Sequence, residues 1–254
     1  METIALLDSS LRELRLPTMQ RNHRQVAEDA ARAQLGYEGF LLALTEQELA
    51  QRERNRHQQR IQAAHFPFLK ELSDFDFTCV QSPAQAQVVA LTQGHYLPAA
   101  ESIILVGNPG LGKTHLAIAL ALAACRQSYK VRFYNVAALV NELIAAQTEQ
   151  RLPRFLATAL KQQLMVLDEL GYIPFSPTAA QLLFQFCSAL YERVPLIMTT
   201  NLRFADWTQV FGDERLTAAL LDRLTHRAHI LEFVGDSFRL RQTRKAPPRQ
   251  LAQS

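Results

Sequence analysis

The most constraining stretch of this sequence is Gly107-Asn108-Pro109-Gly110-Leu111-Gly112-Lys113-Thr114. It matches the pattern Gly-x-x-x-x-Gly-Lys-Ser/Thr at every fixed position. Its flanks match as well: the apolar run Ser102 to Val106 precedes it and the Ala/Leu-rich stretch Lys113 to Gln127 follows. Strand, glycine loop and helix in that order leave few folds open. Glycines let a backbone curl until its amides converge, and a helix N-terminus adds unpaired donors and a favourable dipole, so the loop is expected to cradle phosphate oxygens. In such a loop Lys113 contacts the β- and γ-phosphates of ATP, and Thr114 gives its hydroxyl to Mg²⁺. A glycine turn that merely opens a helix is the structural alternative, and motif and context together count against it.

Two later segments fit the same chemistry. Leu164-Met165-Val166-Leu167-Asp168-Glu169 reads as a buried parallel strand that delivers two carboxylates at its C-terminal end, where nucleotides bind in open α/β sheets. Asp168 would hold the metal through water, and Glu169 would orient and deprotonate an attacking water. Acids at strand ends are common, so the strand carries weight only because it follows the loop. A third strand, Leu196 to Thr200, ends in Asn201, an amide placed to sense the γ-phosphate or hold the lytic water. An asparagine that begins a turn is an equal reading of that residue alone.

Around these motifs strand-like and helix-like segments alternate. Val131 to Asn135 also has strand composition, a fifth strand is expected near Leu231 to Val234, and Val136 to Gln147 and Thr178 to Arg193 read as helices. This order predicts an α/β fold with a parallel five-stranded sheet and helices on both faces. The first 78 residues differ: rich in Ala, Leu, Gln, Glu and Arg, they predict a small all-α domain. One helix is expected from about Thr18 to Leu35 and a short one from Tyr37 to Leu44, with Thr45 and Glu48 as a capping box opening another. The expected domains are 1–78, 79–234, and a basic tail at 235–254.

The net charge of +3 is too small to argue for a nucleic-acid partner by itself, but the basic residues cluster. Arg52, Arg54, Arg56 and Arg60 fall within one expected helix, and Arg239, Arg241, Arg244 and Lys245 lie in the tail. Both clusters would neutralise DNA phosphates without reading bases, giving largely non-specific, salt-sensitive binding. Solvated faces and a disordered tail are the alternatives. Cys79, Cys125 and Cys187 are scattered, as are the histidines, so neither a disulfide framework nor a metal-ligand pattern is expected. No apolar run approaches membrane-spanning length and no secretory pattern opens the chain, which predicts a cytoplasmic protein without a membrane partner.

With these motifs in place the chain resembles the AAA+ branch that contains the helicase loader DnaC, and most closely the IstB-like ATP-binding proteins of bacterial insertion sequences. The strings that carry the resemblance are Gly107 to Ala117 (GNPGLGKTHLA), Leu167 to Tyr172 (LDELGY), Thr200-Asn201, Leu220 to His229 (LLDRLTHRAH) and Gly235 to Arg241 (GDSFRLR). The resemblance implies that Asn201 is the sensor-1 residue and that Arg223 is an arginine finger reaching a neighbouring subunit's ATP, with Arg227 as the rival. Phe238 stands where the family usually has tyrosine. With the fifth strand expected near Leu231 to Val234, the sequence is not expected to carry the helical lid of larger AAA+ proteins. The resemblance further implies an ATP-dependent transposition helper that forms homo-oligomers on duplex DNA, remodels it, recruits a cognate transposase and disassembles on hydrolysis. A DnaC-like loader acting on single-stranded DNA is the main alternative, and a small-molecule P-loop kinase is another.

Overall fold

The N-terminal segment of the computed structural model, which describes residues 2–171 and 174–235, is helical. It comprises α1 (Glu2–Glu13), α2 (Pro17–Arg32) and α3 (Tyr37–Ala64). Contacts divide the chain into two units at residues 59 and 60, inside α3. The first unit has a small core of Leu11, Met19, Val26 and Leu44. Pro17 suits the first turn of α2, where its missing N–H loses nothing, but Leu16 before it has no side-chain cap to offer. Glu48 supplies the cap from α3 instead: one carboxylate oxygen accepts the Thr18 and Met19 amides at 2.8 and 3.1 Å. The other accepts Arg52 Nε at 2.8 Å, and Arg52 Nη2 donates to the Arg15 carbonyl at 2.6 Å. Burial opposes the charge on Glu48, yet Arg52 and the two amides prevail and hold its carboxyl below the usual range.

The break expected before Thr45 does not occur. Thr45 donates its hydroxyl back to the Leu41 and Leu42 carbonyls at 3.0 and 2.8 Å, so it sits inside a continuous helix. Division at 59/60 also comes earlier than the boundary expected near 78. Ala64 and Phe75 are buried with Leu116 and Leu120 of the second unit, and Phe66 and Leu72 pack against the same cluster.

The second unit is built on a six-stranded sheet in the order β1-β6-β2-β5-β4-β3. Its elements follow along the chain as β1 (Val80–Ser82), α4 (Gln85–Thr92), β2 (Ser102–Gly107), α5 (Lys113–Arg126) and β3 (Val131–Asn135). Next come α6 (Val136–Thr148), α7 (Leu152–Ala159), β4 (Leu164–Leu170), α8 (Pro177–Leu190) and β5 (Leu196–Thr200). The last are α9 (Thr208–Phe211), α10 (Glu214–Thr225) and β6 (Ala228–Gly235). β6, β2, β5, β4 and β3 pair in parallel. β1, which had no counterpart among the expected strands, adds antiparallel to β6 at the edge.

Both faces of the sheet are covered, and the period of two along the strands assigns each residue to a side. Ile104, Val106, Met165, Leu167 and Met198 join the cluster formed with α6, α8 and α10. Ile103, Leu105, Leu164, Val166 and Ile197 join the one formed with α5. Such two-sided burial explains why β2, β4 and β5 read as nearly unbroken apolar runs. Cys125 and Cys187 are buried free thiols, and burial pushes the first up to about 11 and the second to about 12. Among the described residues, no helix is long and apolar enough to cross a membrane.

Candidate nucleotide site

Parallel pairing places the C-terminal ends of β2, β4 and β5 along one edge of the sheet. Gly107 ends β2 and begins a loop that returns to α5 at Lys113. A Cβ on Gly107 would lie 2.6 Å from the Phe233 carbonyl of β6, so only glycine lets the loop leave the sheet here. Gly112 takes a left-handed φ of 88°, and a Cβ there would meet the Phe75 ring at 2.7 Å. It also caps α5 without a side-chain hydrogen bond, which leaves the first helical amides directed at the loop's concave side. The Lys113 ammonium spans this concavity, donating to the Gly107 and Asn108 carbonyls at 2.6 and 2.8 Å, and the residue is only 7% exposed. A buried cation at a helix N-terminus fits a polyphosphate anion.

Thr114, next on α5, donates its hydroxyl to Asp168 Oδ1 across 2.8 Å, and Thr199 of β5 donates to the same oxygen at 2.6 Å. A carboxylate and a hydroxyl side by side beside the loop offer hard oxygen donors, the set that suits magnesium. Among the described residues, no group of three or more His, Cys, Asp or Glu gathers to hold a metal. Magnesium has no need of one, because it is usually held by one or two protein oxygens together with substrate phosphates.

Glu169 occupies an irregular part of β4. Leu167 pairs with Met198 and Leu170 with Thr200, so Asp168 and Glu169 together stand opposite Thr199 alone, a β-bulge. Glu169 accordingly has a φ of 63°. Its carboxylate is exposed and accepts Asn135 Nδ2 from the end of β3 at 2.9 Å. Asn135 also caps α6, accepting the Ala137 amide at 3.1 Å. Asn201 follows β5 directly and is half-buried. Sequence reasoning missed Asn135 and Thr199, which reach the carboxylates only because β3 and β5 flank β4.

Burial pushes the Asp168 carboxyl above its usual range, against the Thr199 and Thr114 hydrogen bonds; nearby Glu169 adds to the rise and Lys113 opposes it. The folded state therefore binds a proton more readily than the unfolded chain. Without nucleotide, Asp168→Asn is expected to stabilise the protein by about 1 kcal/mol at neutral pH, as relieving a functional site commonly does. That advantage shrinks as pH falls and Asp168 itself becomes neutral. Thermal melts of both proteins over a pH series check this, and a pH-independent difference would refute the explanation.

Arg223 lies elsewhere. α10 ends just before β6 begins, so Arg223 and Arg227 border a cleft with Ser102, Tyr191 and Leu196, at the amino ends of β2 and β5. This is the sheet edge opposite the loop, and Arg223 does not join Lys113, Glu169 and Asn201 within one chain. Its guanidinium lies 4.8 Å from the Phe184 ring centroid and donates to the Ala219 carbonyl at 3.3 Å. Arg227 is exposed.

The basic cluster on α3 is divided in use. Arg52 is tied to Glu48 and Arg15, whereas Arg54 and Arg56 are exposed and pair along their own helix with Gln51 and Glu53. Such exposed local pairs hold a side chain weakly. Arg60 is half-buried in the second unit. Arg239, Arg241, Arg244 and Lys245, the basic tail and Phe238 lie outside the described residues.

The family model described as IstB-like ATP binding protein matches residues 9–246. The ATP-binding protein of insertion sequence IS5376 from Geobacillus stearothermophilus is 35% identical over 93% of this chain and 94% of its own length. That of insertion sequence IS21 from Pseudomonas aeruginosa is 36% identical over 94% and 91%. Among solved structures, the DnaI structure superposes with a TM-score of 0.55 at 19% identity, covering 65% of this chain and 91% of that one. The DnaC helicase loader gives 0.51 at 22%, covering 59% and 87%. These two establish likeness of fold.

Proposed function

The chain belongs to the IstB-like ATP-binding proteins, a family of AAA+ ATPases, and on that footing we propose that it hydrolyses ATP to control its own assembly on duplex DNA in insertion-sequence transposition. The observation that carries the reading is the meeting of loop, carboxylates and amide at one sheet edge: Lys113 and Thr114 from α5, Asp168 and Glu169 from β4, and Asn201 after β5. The loop amides and Lys113 bind the phosphates. Thr114 and Asp168 would hold Mg²⁺, which when bound neutralises charge on the phosphate oxygens. Glu169 takes the proton of the attacking water, and Asn201 holds that water or the γ-phosphate.

Lys113 supplies one cation from within the site, and a second would stabilise the charge that develops on the transferring phosphoryl group. Arg223, at the opposite sheet edge, fits a finger given to the neighbouring subunit's site, so hydrolysis requires an oligomer. ATP then favours assembly, and hydrolysis releases it. Exposed Arg54 and Arg56, with the basic tail, would track DNA phosphates, and the assembled form would remodel the duplex and recruit a cognate transposase. On this reading it would work in the cytoplasm.

Electron microscopy and sedimentation with ATP and either duplex or single-stranded DNA of equal length test the reading. ATP-dependent oligomers are expected on duplex, weakening steeply with salt and retaining the partner transposase. Arg223→Ala is expected to bind nucleotide yet hydrolyse it about 1,000-fold more slowly, and mixing in Lys113→Ala subunits should restore part of the activity. Assembly on single strands alone would favour a helicase-loading role. Phosphorylation of a small molecule without DNA-stimulated turnover would overturn the reading.

A further inference from the structure

β4 keeps its bulge because something satisfies the amide that the bulge removes from the ladder. Doubling Asp168 and Glu169 against Thr199 leaves one N–H without its regular strand partner, and a buried unpaired amide is seldom tolerated. The Glu169 amide instead donates to Thr199 Oγ1 at 2.8 Å. The same hydroxyl donates a hydrogen bond to Asp168 Oδ1 at 2.6 Å. Thr199 is 2% exposed, so water does not compete for either bond.

We propose that Thr199 is a positioning residue of the hydrolytic site, whose single hydroxyl fixes the metal-site carboxylate and the backbone of the general base together. A regular strand would send residues 168 and 169 to opposite faces of the sheet. The bulge turns Glu169 so that its carboxylate reaches Asn135 on the neighbouring strand, the residue that pairs with Asp168 in register. One oxygen thus sets the geometry of two functional groups. Thr114 also donates to Asp168 Oδ1, but Thr114 stands in the first turn of α5, where the loop ends. A donor on β5 keeps Asp168 oriented whatever the Thr114 hydroxyl does. The proposal rests on the ATPase reading above.

The full-length protein should be compared with Thr199→Val, which keeps the shape and removes the hydroxyl, and with Thr199→Ser, which keeps the hydroxyl. Hydrogen bonds to charged groups are strong enough that Thr199→Val is expected to lower kcat about 10- to 100-fold. A fluorescent ATP analogue supplies a readout apart from turnover. Its affinity without Mg²⁺ should be unchanged in Thr199→Val, because neither the loop amides nor Lys113 uses Thr199. The Mg²⁺ concentration that half-maximally tightens binding should rise about 10-fold. Thr199→Ser should stay within about 3-fold of the parent on both measures. Parent-like turnover and Mg²⁺ midpoint in Thr199→Val would overturn the proposal and leave the ATPase reading standing. Equal loss in the Ser and Val variants would also overturn it, by tracing the effect to the methyl group. A parent protein that neither binds nor hydrolyses Mg-ATP would overturn the ATPase reading itself.

Discussion

Glu169→Gln is expected to bind ATP with parent affinity and to hydrolyse it at least about 1,000-fold more slowly, within the range set by general-base removal. Glutamine keeps the volume and the carbonyl oxygen that accepts Asn135 Nδ2, so the bulge and its surroundings persist. What it loses is the ability to take a proton from water. The substitution spares the phosphate contacts from Lys113 and the loop, so nucleotide stays bound and the assembly on DNA outlives the parent's. Single-turnover phosphate release, with nucleotide dissociation followed by fluorescence, separates the two steps. Parent-rate hydrolysis in this variant would remove Glu169 from the mechanism. Loss of binding would instead show that the carboxylate holds the loop together.

Lys113→Ala acts one step earlier. The ammonium is the cation the loop presents to phosphate, held in place by the Gly107 and Asn108 carbonyls and nearly closed off from solvent. Its removal leaves a dipolar cradle without a charge, and affinity for ATP is expected to fall at least about 100-fold, the equivalent of one or two strong charge-assisted hydrogen bonds. Calorimetric titration measures this directly, and ATP-dependent assembly should vanish with it. Lys113→Arg is not a mild alternative, because a planar fork cannot occupy the place of a compact ammonium between two carbonyls. Near-normal nucleotide affinity in the alanine variant would mean that the loop amides suffice.

These outcomes depend on parts of the molecule that were legible from sequence to different degrees. Val131–Asn135 and Leu196–Thr200 are strands over the expected spans, and the loop sits between a strand and a helix as its flanks imply. These segments read clearly because they are buried on both faces and bounded by glycine or polar turns, so local pattern and tertiary environment agree. α3 is the opposite case. Thr45 and Glu48 satisfy a capping pattern, but Glu48 is taken by the start of α2 through a contact thirty positions away in sequence. Spacing along the chain does not encode such a contact. β1 is three residues long, too short for a periodic signal.

The candidate site divides along the same line. Lys113, Thr114, Asp168 and Glu169 stand in contiguous motifs whose chemistry can be read in one dimension. Asn135 and Thr199 cannot, since each acquires its meaning from lying on a strand adjacent to β4. Thr199 stands two positions before Asn201, within the segment already singled out, yet only the bulge distinguishes it from Thr200. The first cluster of arginines shows the limit from the other side. Composition groups Arg52 with Arg54 and Arg56, while the buried Glu48 carboxylate sets it apart.

The paired acids of β4 carry a consequence for how copies of such a gene age. Burial disfavours the charged form of Asp168, and Glu169 keeps a left-handed backbone that costs a non-glycine residue on the order of 1 kcal/mol. Asparagine at the first position and glycine at the second would each relieve the folded chain. In a copy released from its task those two replacements therefore meet no stability barrier, while the apolar residues beneath them remain under the constraint of folding. On the ATPase reading, a related copy with this core intact and these acids replaced is expected to fold without hydrolysing ATP.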